Sequence, residues 1–199
     1  MANFVIENKI IILQKMNCLY LNKITFILLA TMLSVTFAHA QNELKFIEKP
    51  VSTGKKIVQS RTITAIIVHS TYNSSSDDKY NIDPVIKQFA RYGVSSHYVI
   101  GRDGLIYRLV KEKDVAFHAG KSQLPNGQTG LNSKSIGIEL ITSKEEAPTE
   151  QQIKSLTNLV NDIKKRYKIE YILRHSDIAP NRKTDPWNMD WDGFLQGIK

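Results

Sequence analysis

From Thr62 to Val68 the chain is an apolar, β-branched run (TITAIIV) of strand length, and it delivers His69 at its C-terminal end. Asp83-Pro84 opens a predicted helix that runs to about Tyr92, with Gly93 as its stop. Two further runs, His97 to Ile100 (HYVI) and Leu105 to Val110 (LIYRLV), flank Gly101-Arg102-Asp103-Gly104 and predict a hairpin with a glycine-rich turn. Ala119 to Lys134 is polar, carries Gly120, Pro125, Gly127 and Gly130, and predicts a long loop of the kind that often bears function. Ser135 to Thr142 (SIGIELIT) returns to strand, Ile136, Ile138 and Leu140 alternating with Gly137, Glu139 and Ile141. Thr149 caps a predicted helix in which Ile153, Leu156, Leu159, Val160 and Ile163 recur at helical spacing; it ends in Lys164-Lys165-Arg166, as a helix dipole favours. Glu170 to Leu173 is a short predicted strand that delivers His175, and Asp190 to Ile198 predicts a last short helix. Strands interleave with helices, so the predicted class is α/β, a mixed central sheet flanked by helices.

The N-terminal pattern differs. Lys23 precedes an apolar run from Ile24 to Ala38 that closes on Ala38-His39-Ala40, the layout of a secretory signal peptide. The run falls short of the roughly 20 apolar residues a membrane span needs, and polar Gln41, Asn42 and Glu43 follow it. The expected organisation is a signal peptide over 1–40, a polar lead-in over 41–60 and one catalytic domain over 61–199, exported to the periplasm or secreted, monomeric, with no stable membrane insertion after cleavage. An uncleaved anchor is the alternative, and Met16 would give a more usual signal-peptide length than Met1. The only cysteine, Cys18, lies in this segment, so the exported domain is held by its core and by any metal it binds.

Charge narrows the partner without choosing it. Residues 1–40 hold Lys9, Lys15, Lys23 and Glu7, so +6 of the formal +8 remains in 41–199. A basic exported protein suits an anionic polymer such as a cell wall; nucleic acid would suit the same charge, but export and the absence of a repeated basic-aromatic pattern argue against it.

Two histidines, His69 and His175, follow apolar strands, and Asp185 follows the second across a loop containing Pro180. Two imidazoles and a carboxylate are the ligand set expected of a catalytic zinc whose fourth position is left to water. Taken singly, each histidine is as well explained by a structural hydrogen bond; the combination carries the reading. Glu139 is a carboxylate in an apolar strand, costly unless paired or kept as a general base, although alternation also allows it a solvent-facing position. Lys183 would place a cation where an oxyanion forms during attack on an amide, or is a solvated surface lysine. Ser70 adjoins His69, but no G-x-S-x-G elbow supports serine hydrolase chemistry.

The segments HSDIAPNRKTDPW (His175 to Trp187), SIGIEL (Ser135 to Leu140), VSSHYVIGRDG (Val94 to Gly104) and FHAG (Phe117 to Gly120) closely resemble the N-acetylmuramoyl-L-alanine amidases of the amidase-2 family. These share a fold with peptidoglycan recognition proteins and the small phage amidase called a lysozyme. The resemblance runs from about Thr62 to the C-terminus. It implies one zinc ion held by His69, His175 and Asp185 (the last replaced by cysteine in some relatives), Glu139 as catalytic carboxylate and Lys183 assisting at the metal. His97 in SSHY and His118 in FHAG match recurring positions that line or shape the cleft and are assigned to substrate binding, His97 equally well to structure. The implied reaction is hydrolysis of the amide between N-acetylmuramic acid and L-alanine in peptidoglycan or muropeptides. A peptidoglycan-binding module without activity is the alternative, as in fold relatives that lack ligands; here none is missing. Asn181 and Trp187 stand where close cytoplasmic relatives commonly have glycine, so fine substrate preference does not carry over.

Overall fold

The computed structural model describes residues 44–75 and 78–199, together with Leu21, Lys23 and Phe26. Apart from those three, the proposed signal peptide lies outside the described residues, and the fold is that of the unit Lys45–Lys199. Among the described residues, no helix is long and apolar enough to cross a membrane.

The two longest apolar runs pair with each other at the centre of the sheet. β3 (Ala65–Thr71) and β7 (Ser135–Ile141) are buried at every position and run parallel in the register Ala65↔Ser135 to Thr71↔Ile141. Strands buried on both faces need no polar alternation, which is why both read as near-continuous apolar segments. β8 (Tyr171–Arg174) joins β3 in parallel on its other side, and β4 (Tyr98–Ile100) joins β7 in parallel. β5 (Ile106–Arg108) returns antiparallel to β4 through the predicted hairpin. A short first strand, β1 (Phe46–Glu48), closes the edge parallel to β5, giving the mixed order β1-β5-β4-β7-β3-β8.

Two expectations change. β3 begins at Ala65, not Thr62, and continues through His69, Ser70 and Thr71, because β7 supplies partners to its very end. His69 therefore sits inside the strand instead of just beyond it. The described part of the polar lead-in, from Leu44 on, is also packed structure: besides β1, β2 (Lys55–Lys56) pairs antiparallel with β6 (Val115–Ala116), and Val51 joins a core with Val85, Phe89 and Leu109. Backbone bonds from Lys49 N–H to the Arg108 carbonyl (3.0 Å) and from Val51 N–H to the Leu109 carbonyl (3.1 Å) hold that segment in place.

Helix ends follow local chemistry. α1 (Ile82–Tyr92) starts one residue earlier than Asp83, because Asn81 is its cap and accepts from Asp83 N–H at 3.0 Å. It ends on Gly93, whose φ of 64° places it in the left-handed region that glycine enters without steric cost. α2 (Glu150–Arg166) opens with a full capping box between Thr149 and Gln152 and buries Leu156, Leu159, Val160 and Ile163. Gln152, fully buried, also donates through Nε2 to the carbonyls of Ile100 and Ile141, both at 3.0 Å, tying the first turn of α2 to β4 and β7. Gln152→Ala removes the cap partner and both bonds, and should destabilise the fold by about 2–4 kcal/mol in urea titrations with little change in slope. α3 (His175–Ile178) follows β8 directly, and α4 (Trp191–Gln196) is the last helix.

Side chains two residues apart on a strand share a face. Ala65 and Ile67 of β3 pack with Ala119, Leu124, Leu131 and Ile178, so the glycine-rich segment is a packed loop with its own apolar anchors. Val99 and Ile141 belong to the cluster around α1. His69 and Glu139 occupy the same face, between these two clusters.

Candidate metal centre and active site

Sheet register brings the site together. Val68 pairs with Arg174, so the next residues along the parallel strands, His69 and His175, emerge side by side, while His69 pairs with Glu139 across β7. Asp185 reaches the same point through a turn in which the Arg182 and Lys183 N–H groups both donate to the Ala179 carbonyl at 2.9 Å. Arg182 in turn donates to the carbonyls of Ala119 (3.0 Å) and Lys121 (2.9 Å), fastening this turn to the packed loop. Ser176 N–H donates to the Asp185 carbonyl at 2.9 Å, and Trp187 N–H to Ser70 Oγ at 3.2 Å. The Asp185-Pro186 peptide between these anchors is cis.

Three ligand-type atoms converge. His69 Nδ1 and His175 Nδ1 are 2.8 Å apart, and Asp185 Oδ2 lies 3.1 Å from the second and 3.6 Å from the first. Donor atoms about 2.0–2.1 Å from a tetrahedral cation stand about 3.3 Å from one another, so this triangle has the size such an ion requires. All three residues are buried, and this cluster is the one His/Asp group among the described residues with metal-ligand spacing. Burial pushes Asp185 upward, but its hydrogen bonds with His175 and His69 more than reverse this and hold it well below the usual carboxylate range. Burial lowers His69 to about 4, against the opposing pull of Asp185. The set is thus a carboxylate and an uncharged imidazole facing a second imidazole, the protonation that metal binding demands.

Glu139 lies in the same environment with a different outcome. It is 9% exposed, its Oε2 has no hydrogen-bond partner, and burial raises it to about 8; the Asp185 charge adds to the rise and Lys183 opposes it. The solvent-facing alternative for Glu139 is excluded by that burial. Lys183 is half-buried, and its charge acts on both Glu139 and His69.

The two remaining histidines part company. His118, 8% exposed, stands edge-on against His69 with ring centroids 5.1 Å apart, and its Nδ1 is 3.0 Å from His69 Nε2. His97 has no exposure at all: Nδ1 accepts from Gly137 N–H at 3.0 Å, and Nε2 lies 3.1 Å from the Asp114 carbonyl and 2.8 Å from Arg61 Nη2. Its placement is that of an interior residue, which corrects the expectation that it lines the cleft. Burial, with the nearby Arg61 charge, lowers His97 to about 3. A folded value below the ordinary 6.5 means its contribution is fully present above 6.5 and is lost as pH falls toward 3. His97→Asn should therefore flatten the acid limb of the stability profile by up to about 1.4 kcal/mol per pH unit over that window, read from denaturant midpoints at successive pH values.

Sequence reasoning passed over several supporting residues. Ser70 donates its backbone N–H to Asp185 Oδ2 at 3.4 Å, and Asn132 Oδ1 accepts from the N–H groups of His118 (3.0 Å) and Ala119 (2.8 Å). Ser135 Oγ lies 3.1 Å from His118 Nε2. Ser70 was visible only as the neighbour of His69 and Ser135 only as the first residue of SIGIEL; nothing local marked Asn132.

Known proteins share this fold. The chain is 40% identical over 122 residues to the 1,6-anhydro-N-acetylmuramyl-L-alanine amidase AmpD of Haemophilus influenzae, a match covering 59% of this chain and 66% of that protein. The crystal structure of a selenomethionine AmpD derivative superposes with a TM-score of 0.64 at 28% identity, covering 79% of this chain and 97% of that one. The N-acetylmuramyl-L-alanine amidase AmiD of Escherichia coli, in complex with the substrate anhydro-N-acetylmuramic acid-L-Ala-D-gamma-Glu-L-Lys, superposes with a TM-score of 0.59 at 30% identity, covering 71% of this chain and 60% of that one. The chain spans about half to two thirds of the length of the curated relatives AmiD and AmpD. Residues 59–188 match the model of the amidase-2 family, described as N-acetylmuramoyl-L-alanine amidase, and with that match covering well over half of its length the chain belongs to this family.

Proposed function

We propose that this protein hydrolyses the amide joining N-acetylmuramic acid to L-alanine in peptidoglycan or its fragments, with one zinc ion held by His69, His175 and Asp185. The observation that carries the proposal is the 2.8 to 3.6 Å convergence of three ligand atoms beside a buried carboxylate oxygen that has no partner. Zinc in such a set, with a position left open, supplies Lewis-acid polarisation and lets a water ionise near neutrality.

The residues of the chain do the rest. Glu139 Oε2 takes a proton from the attacking water as the new C–O bond forms at the lactyl carbonyl. Lys183 offers its positive charge to the oxyanion that develops on that carbonyl. When the C–N bond breaks, Glu139 returns the proton to the departing amine of L-alanine, so the carboxylate ends the cycle as it began. His118 and Ser70 hold His69 and Asp185 in position.

The relatives' names specify an anhydro-muramyl substrate, so both an anhydro-muropeptide and its reducing counterpart belong in the test. Mass spectrometry of the products should show free stem peptide with the L-alanine amino terminus exposed, and a chelator should suppress it. Binding of the muropeptide with no release of peptide would sink the catalytic reading in favour of a recognition module. We further propose export directed by residues 1–40; the protein recovered from outside the cytoplasm should begin at Gln41, and recovery of the intact chain only from the cytoplasm would refute this.

A further inference from the structure

We infer that His118 and Ser135 are positioning residues that decide which nitrogen of His69 carries the proton, keeping Nδ1 bare where it faces His175 and Asp185. This deepens the reading of His69 as a metal ligand and rests on it.

The direction of the hydrogen bonds is fixed from the far end. The Leu131 carbonyl has no proton to give, so Ser135 Oγ–H donates to it, at 2.6 Å. A hydroxyl has one proton, and Ser135 Oγ can then only accept from His118 Nε2, 3.1 Å away. That puts the proton of His118 on Nε2. With its ring proton engaged there, His118 Nδ1 is left to accept, 3.0 Å from His69 Nε2. His69 Nε2 must then carry its ring proton, and its Nδ1 keeps a free lone pair 2.8 Å from His175 Nδ1. The sequence of atoms from a backbone carbonyl to a metal-facing nitrogen has only one consistent assignment.

The His118 ring has little freedom to break this order. A Cβ on Gly137 would lie 2.4 to 2.8 Å from three of its atoms, so the ring rests directly on the β7 backbone, which only glycine permits. The N–H groups of His118 and Ala119 both donate to Asn132 Oδ1, fixing the main chain behind the ring. If Ser135 lost its hydroxyl, His118 could carry its proton on Nδ1 instead. That proton would oppose His69 Nε2–H, and relief would move the His69 proton onto Nδ1, where it blocks coordination.

The test uses the protein with nitrogen-15 in its histidines, stripped with a chelator, and reads the long-range proton–nitrogen pattern of His69 alongside zinc affinity by competition with a chromophoric chelator. Wild-type His69 should carry its proton on Nε2 before any zinc is added. Ser135→Ala should lose about 10- to 100-fold in zinc affinity and shift His69 toward the Nδ1–H form. His118→Asn, which keeps an acceptor near the Nδ1 position, should bind zinc more tightly than His118→Leu. A proton on Nδ1 of wild-type His69, or zinc affinity in Ser135→Ala and His118→Leu equal to wild type, overturns the inference. Failure of the wild type to bind zinc, with His69 in the Nε2–H form, would instead strike the metal reading and leave the hydrogen-bond order standing.

Discussion

Glu139→Gln is expected to lower turnover of a muramoyl-L-alanine substrate by roughly 10²- to 10⁴-fold, the usual share of a general base, while one zinc per chain is retained. Glutamine keeps the shape of the side chain but cannot take a proton, and Glu139 is not among the three converging ligands. The same substitution should make the metal-free protein more stable. Burial raises the folded value of Glu139 from 4.5 to about 8, so the stability linked to this group is fully present below 4.5 and lost as pH rises toward 8. At neutral pH glutamine removes that penalty, a gain on the order of 2 kcal/mol without metal. A cation in the ligand cluster favours the ionised carboxylate, so the gain should shrink when zinc is bound. An active site that sacrifices stability for chemistry gives this opposed pair of changes; a solvated carboxylate gives neither. Near-full activity in Glu139→Gln would show that another group accepts the proton.

Part of this site was legible in the chain and part was not, for identifiable reasons. β3 and β7 announce themselves as long apolar runs, and α1 and α2 carry their end signals in Gly93, Thr149 and Gln152. The register that sets His69 opposite Glu139 is a property of two strands distant in sequence, and no local pattern encodes it. β1, β2 and β6 span two or three residues each, too few for any periodicity to show, and are held by backbone pairing. His69, His175 and Asp185 could be picked out by residue type and position, whereas their convergence required the fold. His97 and His118 illustrate the limit most clearly. Both sit in short histidine-bearing segments, yet one is enclosed behind Gly137 and Arg61 and the other reaches His69, a difference created wholly by tertiary packing.

Asp185→Asn should abolish high-affinity zinc binding and with it the activity, while the metal-free protein still folds, less stably because the carboxylate's charged bonds to His175 and His69 are lost. The substitution is nearly isosteric and retains an oxygen that can accept the Ser70 N–H, so the buried turn loses little packing. What it removes is the charge that draws a divalent cation into a buried pocket and balances it there, since a neutral amide oxygen is a poor zinc ligand beside two imidazoles. Thermal melting separates the two effects. A ligand at about 1,000 times its dissociation constant stabilises the folded state by about 4 kcal/mol, which for a domain of this size raises the melting temperature by roughly 10 °C. Wild-type protein should show that rise when zinc is restored after chelation, together with recovery of peptide release. Asp185→Asn should melt at the same temperature with and without zinc. Should the variant keep both the zinc-dependent rise and the activity, the ion is held elsewhere, and the convergence of His69, His175 and Asp185 serves only to organise the turn after β8.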